Sequence, residues 1–226
     1  MGKRKGTASL GQKPEVFGEQ CTADHIAKTA EHHFGVNDER VALVITDRAS
    51  GFLGVYPSPH KTGEETEVAF MHYQGTKQKV QYLWSDNSEE IRYAAEQMKW
   101  TAGTGCPGLP KTNAIAERTV RRVVEATRTI LNMAGLPPCC WPWAAKYFCT
   151  AWNTNPNVGA SPWFHRHGEH FTGKRIPFGC LVDYLPSPAE VKHQQFAAPK
   201  PQPAIFLGWK LNPGCVWNGE YLFALL

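Results

Sequence analysis

Three carboxylates in this chain stand in three different settings: Asp24 in QCTADHI, Asp86 in LWSDNSEE and Glu117 in TNAIAERTVRRV. Asp24 falls inside an apolar, strand-like stretch, Asp86 at the end of another, and Glu117 at the start of a helix-like one. Carboxylates that converge repel one another unless cations lie between them. Two divalent cations about 3.5–4 Å apart, held by such acids, are the arrangement that cuts and joins phosphodiesters. Each acid also has an ordinary explanation. Asp24 could face solvent on an edge strand, Asp86 could be a turn or helix-capping residue in competition with Ser88, and Glu117 could be a first-turn acid favoured by the helix dipole. Asp47 rivals Asp24 as the first carboxylate, but it precedes Arg48-Ala49-Ser50-Gly51, where a turn accounts for it.

The elements that must position these acids follow from periodicity and turn signals. Residues 19–27 read as a strand, GVNDER as a turn, VALVITD (41–47) as a second strand and 52–56 as a third ended by Pro57 and Pro59. Thr62 followed by Glu65 has capping-box spacing and predicts a helix to about Tyr73. A strand at 79–85 and a helix at 88–100 follow, with Ser88 as its cap. Residues 101–111, with three Gly and two Pro, read as a mobile loop. The clearest helix runs from Asn113 to about Asn132. Val120, Val123, Val124, Thr127, Ile130, Leu131 and Ala134 recur along it at three- and four-residue intervals. Glu117 borders that apolar face, Gly135 ends the helix and Pro137-Pro138 prevents its continuation. A further helix is expected at about 139–153. Residues 157–176 read as a linker, and GCLVDYLP, AIFLGWK and CVWNGEYLFALL as short strands of a small β-module. In the order strand–strand–strand–helix–strand, the first strand lies centrally beside the fourth. That places Asp24 next to Asp86 and favours it over Asp47.

Composition bounds the class. A chain of 226 residues with 42% hydrophobic content and eight Trp builds a packed globular protein. A net charge of +4 permits nucleic-acid binding without demanding it. Its placement says more, since Lys111, Arg118, Arg121, Arg122 and Arg128 cluster around Glu117, whereas Lys3, Arg4 and Lys5 form only a short basic tail. Seven cysteines, an odd number with no CxxC spacing, read as reduced thiols of an intracellular protein. Nothing in the spacing supports a zinc site from His32, His33, Cys139 and Cys140. No apolar run approaches a membrane span.

The order of strands and helices around the acids resembles the ribonuclease-H-like catalytic core of retroviral and retrotransposon integrases, most nearly that of copia-type elements, including divergent copia-like integrases of protist genomes. The resemblance runs through CTADH, VALVITDRASGFLGVYP, YLWSDNSEEI, TNAIAERTVRRV, TRTILNMAGLPPCCWPWAA, IPFGCLVDYLP and AIFLGW, roughly residues 16–226. It implies an α/β fold, a mixed five-stranded sheet flanked by helices, followed by an SH3-like β-module. The expected organisation is a flexible leader at 1–18, the core at 19–156, a linker at 157–176 and the module at 177–226, the chain stopping inside an apolar run as a truncated module would. Asp24, Asp86 and Glu117 become the family's Asp-Asp-Glu triad, binding two Mg²⁺, or Mn²⁺ in their place, with Asp24 bridging. Lys111, Asn113, Arg118, Arg121 and Arg122 become DNA contacts that position the backbone without reading sequence. Element-end and target DNA are the implied partners, self-association the implied assembly, and the nucleus the implied location. Two departures stand out: Ala114 follows Asn113 where the family often has Asn-Gly, and the preceding loop is GTGCPGLPKT. Both bear on activity more than on fold. A decayed or domesticated core that only binds DNA, or a ribonuclease-H-type nuclease, is the alternative reading.

Overall fold

The structure, a computed structural model, describes residues 13–27, 34–104, 114–156, 159–186 and 201–226. A five-stranded sheet has the order β3-β2-β1-β4-β5, built from β1 (Cys21–Ala27), β2 (Val41–Asp47), β3 (Leu53–Ser58), β4 (Tyr82–Ser85) and β5 (Thr101–Thr104). β1 is central, as the strand order predicts. It pairs antiparallel with β2 and parallel with β4, and β4 pairs parallel with β5. Pro57 lies within β3 instead of ending it, paired with Ala42. An edge strand tolerates this because the missing N–H falls on its open side. Asn153 further covers that edge: its Nδ2 donates to Leu53 O at 2.7 Å and its Oδ1 accepts from Leu53 N at 2.8 Å.

Helix α1 (Gly63–Gln74) starts at Thr62, whose hydroxyl accepts from Glu65 N at 3.2 Å. Only half of the expected capping box forms, because the Glu65 carboxylate instead accepts from His60 N at 2.9 Å. α2 (Glu89–Gln97) is shorter than the sequence pattern suggests. Lys99, with φ 55, turns the chain back into β5. The reading of 101–111 as a loop is therefore corrected at its start. TAGT is a strand, made unrecognisable by its small, largely exposed residues; residues 105–111 lie outside the described ones.

α3 (Ala114–Ala134) and α4 (Trp141–Thr154) are joined by a 3-10 turn at Pro138–Cys140. Ala116, Thr119, Val123 and Thr127 form the buried stripe of α3. One core cluster packs Val120, Val123 and Val124 with Ile26, Val44 and Ala145. On the other face of the sheet, α1 and α2 cover Cys21, Ala23, Leu43, Ile45 and Leu83. Burying a side chain of this size contributes about 1.5–3 kcal/mol, so these two clusters hold α3 and the acids' strands in fixed relation.

The stretch expected to be a linker contains a helix, α5 (Pro162–His167), capped by the Ser161 hydroxyl accepting from Phe164 N at 3.2 Å. Its Trp163 is buried in the core beneath α1 and α2, a long-range contact that local sequence does not reveal. Strands β6 (Leu181–Tyr184), β7 (Gln202–Asn212) and β8 (Val216–Leu225) form a three-stranded antiparallel sheet. It is docked on α4 through Ala144, Phe178 and Leu207. The β7–β8 turn also meets α1. Gly214 N donates to His72 O at 2.7 Å, and Gly75, at φ 69, lies where a Cβ would sit 2.4 Å from Gly214 Cα. Of the leader, Phe17 packs against Phe52 and Tyr73; residues 1–12 lie outside the described ones.

Candidate active site

Alternation along β1 divides its side chains between the two faces. Cys21 and Ala23 enter the core beneath α1 and α2, and Ile26 enters the core beneath α3 and α4. Asp24 shares the face of Ile26, and so looks toward α3. β4 pairs with β1 in parallel, Ala23 opposite Ser85. One step further, Asp86 leaves the end of β4 level with Asp24 and on the same side. Glu117 stands exposed in the first turn of α3, the helix packed over β1.

Asp24 and Asp86 therefore lie level on one side of adjacent strands, and both Asp86 and Glu117 are near enough for their charges to act on Asp24. Burial pushes Asp24 up to about 6, and the negative charges of Asp86 and Glu117 add to the rise. A hydrogen bond from His25 N to Asp24 Oδ1, at 2.7 Å, opposes it, as does the positive charge of Lys61. Asp86 Oδ1 accepts from Ser88 N at 3.2 Å. The turn role considered for Asp86 is thus real, while the Ser88 hydroxyl bonds Glu90 Oε2 at 2.5 Å instead of capping α2. Among the described residues no three His, Cys, Asp or Glu side chains are gathered closely enough to hold a metal ion. The donor set nevertheless suits one. It consists of hard oxygen ligands whose mutual repulsion, visible at Asp24, a cation would relieve.

Asp47 is a different kind of acid. It lies on the opposite face, fully buried, accepting from Gly18 N at 2.9 Å, Ser50 N at 2.7 Å and the Ser50 hydroxyl at 2.6 Å. Ser50 N and its hydroxyl within the turn, with Gly18 N and the Cys21 thiol (3.9 Å) from outside it, occupy its acceptor sites.

The basic residues separate by geometry. Arg118 and Arg121 are exposed and make no ion pair with any described residue. Arg121 lies one turn beyond Glu117 on the same side of α3. Arg122 is turned toward α4, its guanidinium 4.6 Å from the centre of the Trp152 ring. Lys111 and Asn113 lie outside the described residues, as do His32 and His33 of the dismissed zinc set. The six described cysteines are all free. Sequence reasoning missed Lys61 and Glu90, whose charges meet at 3.5 Å beside the acids. Lys61 sits just before the α1 cap and Glu90 in the first turn of α2, and only the packing of α1 beside α2 brings them together.

The mixed five-stranded sheet flanked by helices is the ribonuclease-H-like fold, the fold of integrase catalytic cores. No known protein-family model matches the chain. The fold is similar to a chain of the simian T-cell lymphotropic virus intasome solved with a PP2A regulatory subunit. That match has a TM-score of 0.54 at 14% identity and covers 95% of this chain and 78% of that one. It is also similar to the HTLV-2 integrase catalytic core domain in complex with magnesium, with a TM-score of 0.50 at 17% identity, covering 66% of this chain and 95% of that one. In sequence, the chain is 29% identical over 185 residues to the retrovirus-related Pol polyprotein from transposon TNT 1-94 of Nicotiana tabacum, covering 74% of this chain and 13% of the polyprotein. It is 26% identical over 115 residues to the corresponding polyprotein from transposon RE2 of Arabidopsis thaliana, covering 48% of this chain and 8% of that one. The chain is a relative of transposon Pol polyproteins with the fold of a retroviral-type integrase core, and this fits the copia-type core that the sequence resembles. It spans only a small part of the length of those polyproteins.

Proposed function

We propose that this chain joins DNA as the catalytic core of a copia-type integrase, with Asp24, Asp86 and Glu117 as its metal-holding acids. The observation that carries the reading is their placement. They come from a central strand, the end of its parallel neighbour and the first turn of the helix above, and their charges press on Asp24. Mg²⁺, or Mn²⁺ in its place, would be held by these carboxylates, two ions per site. Bound there, the ions would lower the cost of forming the attacking oxygen nucleophile and of releasing the leaving oxygen. The rest of the chemistry needs no covalent bond to the protein. In end processing, a water oxygen attacks phosphorus and gives up a proton as the P–O3′ bond breaks, and the departing 3′-oxygen gains one, leaving a free 3′-OH on the element end and a 5′-phosphate on the fragment released. In strand transfer, that 3′-OH attacks a target phosphorus and loses its proton, while the target's own 3′-oxygen leaves and gains one. Arg118 and Arg121, exposed beside Glu117, would hold DNA phosphates, with Lys111 and Asn113 assigned the same duty from the resemblance alone. The structural neighbours, a viral intasome and an integrase core in complex with magnesium in a dimeric form, support DNA, self-association and a divalent ion as partners of this chain. Action on DNA would place it in the nucleus.

A second reading, a core that binds DNA without joining it, is favoured by Ala114 beside Asn113, where the resembled family often has Asn-Gly. An oligonucleotide joining assay in Mg²⁺ and Mn²⁺ separates the two, run with the parent, Glu117→Gln and an RNA–DNA hybrid control. The expected result is metal-dependent joining of duplex ends by the parent. Glu117→Gln abolishes it with unchanged circular dichroism, because Glu117 is exposed. Equal joining by the variant would refute the triad, and cleavage confined to the hybrid would point to a ribonuclease.

A further inference from the structure

Beside the acids, a second set of charges has no part in the triad. Lys61 Nζ lies 3.5 Å from Glu90 Oε2. That same oxygen accepts from the Ser88 hydroxyl at 2.5 Å, and Ser88 N in turn donates to Asp86 Oδ1 at 3.2 Å. A continuous chain of contacts therefore links an exposed lysine, on the segment between β3 and α1, to the second acid of the site. We propose, resting on the metal-site reading above, that the Lys61–Glu90 pair sets how tightly the acid site binds a divalent cation. Lys61 acts as a tethered positive charge competing with the ion, and Glu90 holds that charge back while steadying the Asp86 turn.

The electrostatics agree with this geometry. Lys61 supplies the positive charge that opposes the rise at Asp24, where Asp86 and Glu117 act against it. Glu90 is held below its usual range first by the Ser88 hydroxyl and then by Lys61, so it stays ionised and available as the lysine's partner. The pair is open to water, with side chains 37% and 28% exposed. As a stability element it contributes little. Its effect on a doubly charged ion nearby is doubled by that ion's charge and weakened by salt. Both residues are positioning groups acting through the site's field, and neither is assigned contact with reacting atoms.

The two charges have opposite signs, and this provides a test that a merely structural role fails. Mn²⁺ binding to the purified 226-residue chain without DNA is measured by titration calorimetry and by loss of the free-ion paramagnetic resonance signal, in low and high salt, for the parent, Lys61→Gln, Glu90→Gln and the double variant. The expected result is tighter Mn²⁺ binding by Lys61→Gln and weaker binding by Glu90→Gln, each by roughly three- to tenfold at low salt. The double variant should return near the parent, and both shifts should shrink as salt rises. If both single variants weaken binding, or neither shifts it, the inference is overturned while the metal site stands. If the parent binds no Mn²⁺, the metal-site reading falls and takes the inference with it.

Discussion

At the scale of single residues, Asp24 shows the tension expected of a functional group. A half-buried carboxylate beside two others costs stability, and the cost appears as a proton affinity raised to about 6. An unfolded Asp titrates near ~3.9. Below that value both states hold the proton and there is no penalty. As pH rises from about 4 to about 6 the unfolded chain ionises first and stability falls; above about 6 the full penalty remains. Asp24→Asn, which keeps the acceptor for His25 N, should therefore raise the melting temperature at pH 7.5. The gain should fade as pH drops through 6 toward 4. Added Mn²⁺ should stabilise the parent and leave Asp24→Asn unmoved. Thermal melts across pH check both, and a variant less stable than the parent at pH 7.5 would contradict the electrostatic reading. The central place of β1 beside β4 and the turn at Asp47 were legible in the sequence, from the order of elements and from local turn chemistry. The Lys61–Glu90 pair was not, because it depends on how α1 and α2 meet.

At the scale of elements, long periodic segments revealed themselves. α3 could be read from its valine stripe and Gly135, and β2 from VALVITD. β5 and α5 were hidden for different reasons. The TAGT strand exposes small side chains and takes its identity from pairing with β4. PWFHRH is too short for a period to emerge and is held by one buried Trp and a Ser cap. The basic face of α3, uniform in sequence, is divided in space. Arg121→Ala should weaken duplex DNA binding and reduce the salt-dependence slope by about 1, with no change in melting temperature. Arg122→Ala should instead lose about 0.5–1 kcal/mol of stability with its Trp152 contact. Binding titrations in a salt series together with thermal melts test the division. A melting change for Arg121→Ala as large as that for Arg122→Ala would contradict it.

At the scale of the whole molecule, the C-terminal sheet is built into the body of the fold. Cys215 lies within the core beneath α1, and the ring of Tyr147 on α4 stacks on Trp209 at 5.2 Å. Sequence showed the three strands as apolar runs but not their seat, which is made by α4 and by the close passage of Gly75 and Gly214. Phe206, fully buried among Tyr147, Trp209, Tyr221 and Phe223, is the anchor. Phe206→Ala should cost about 3–5 kcal/mol and lower a single unfolding transition shared by both sheets. Two separated transitions in calorimetry would show that the sheets are energetically independent. What the assembled molecule presents is three acids, on β1, at the end of β4 and in the first turn of α3, whose side chains a divalent ion must draw together for the proposed chemistry. Anomalous diffraction from crystals soaked in Mn²⁺ tests that claim most directly. The expected result is an anomalous peak bonded to Asp24 and Asp86, with Glu117 turned toward it. Crystals with the acids open and no peak among them, or with manganese bound only elsewhere, would contradict it.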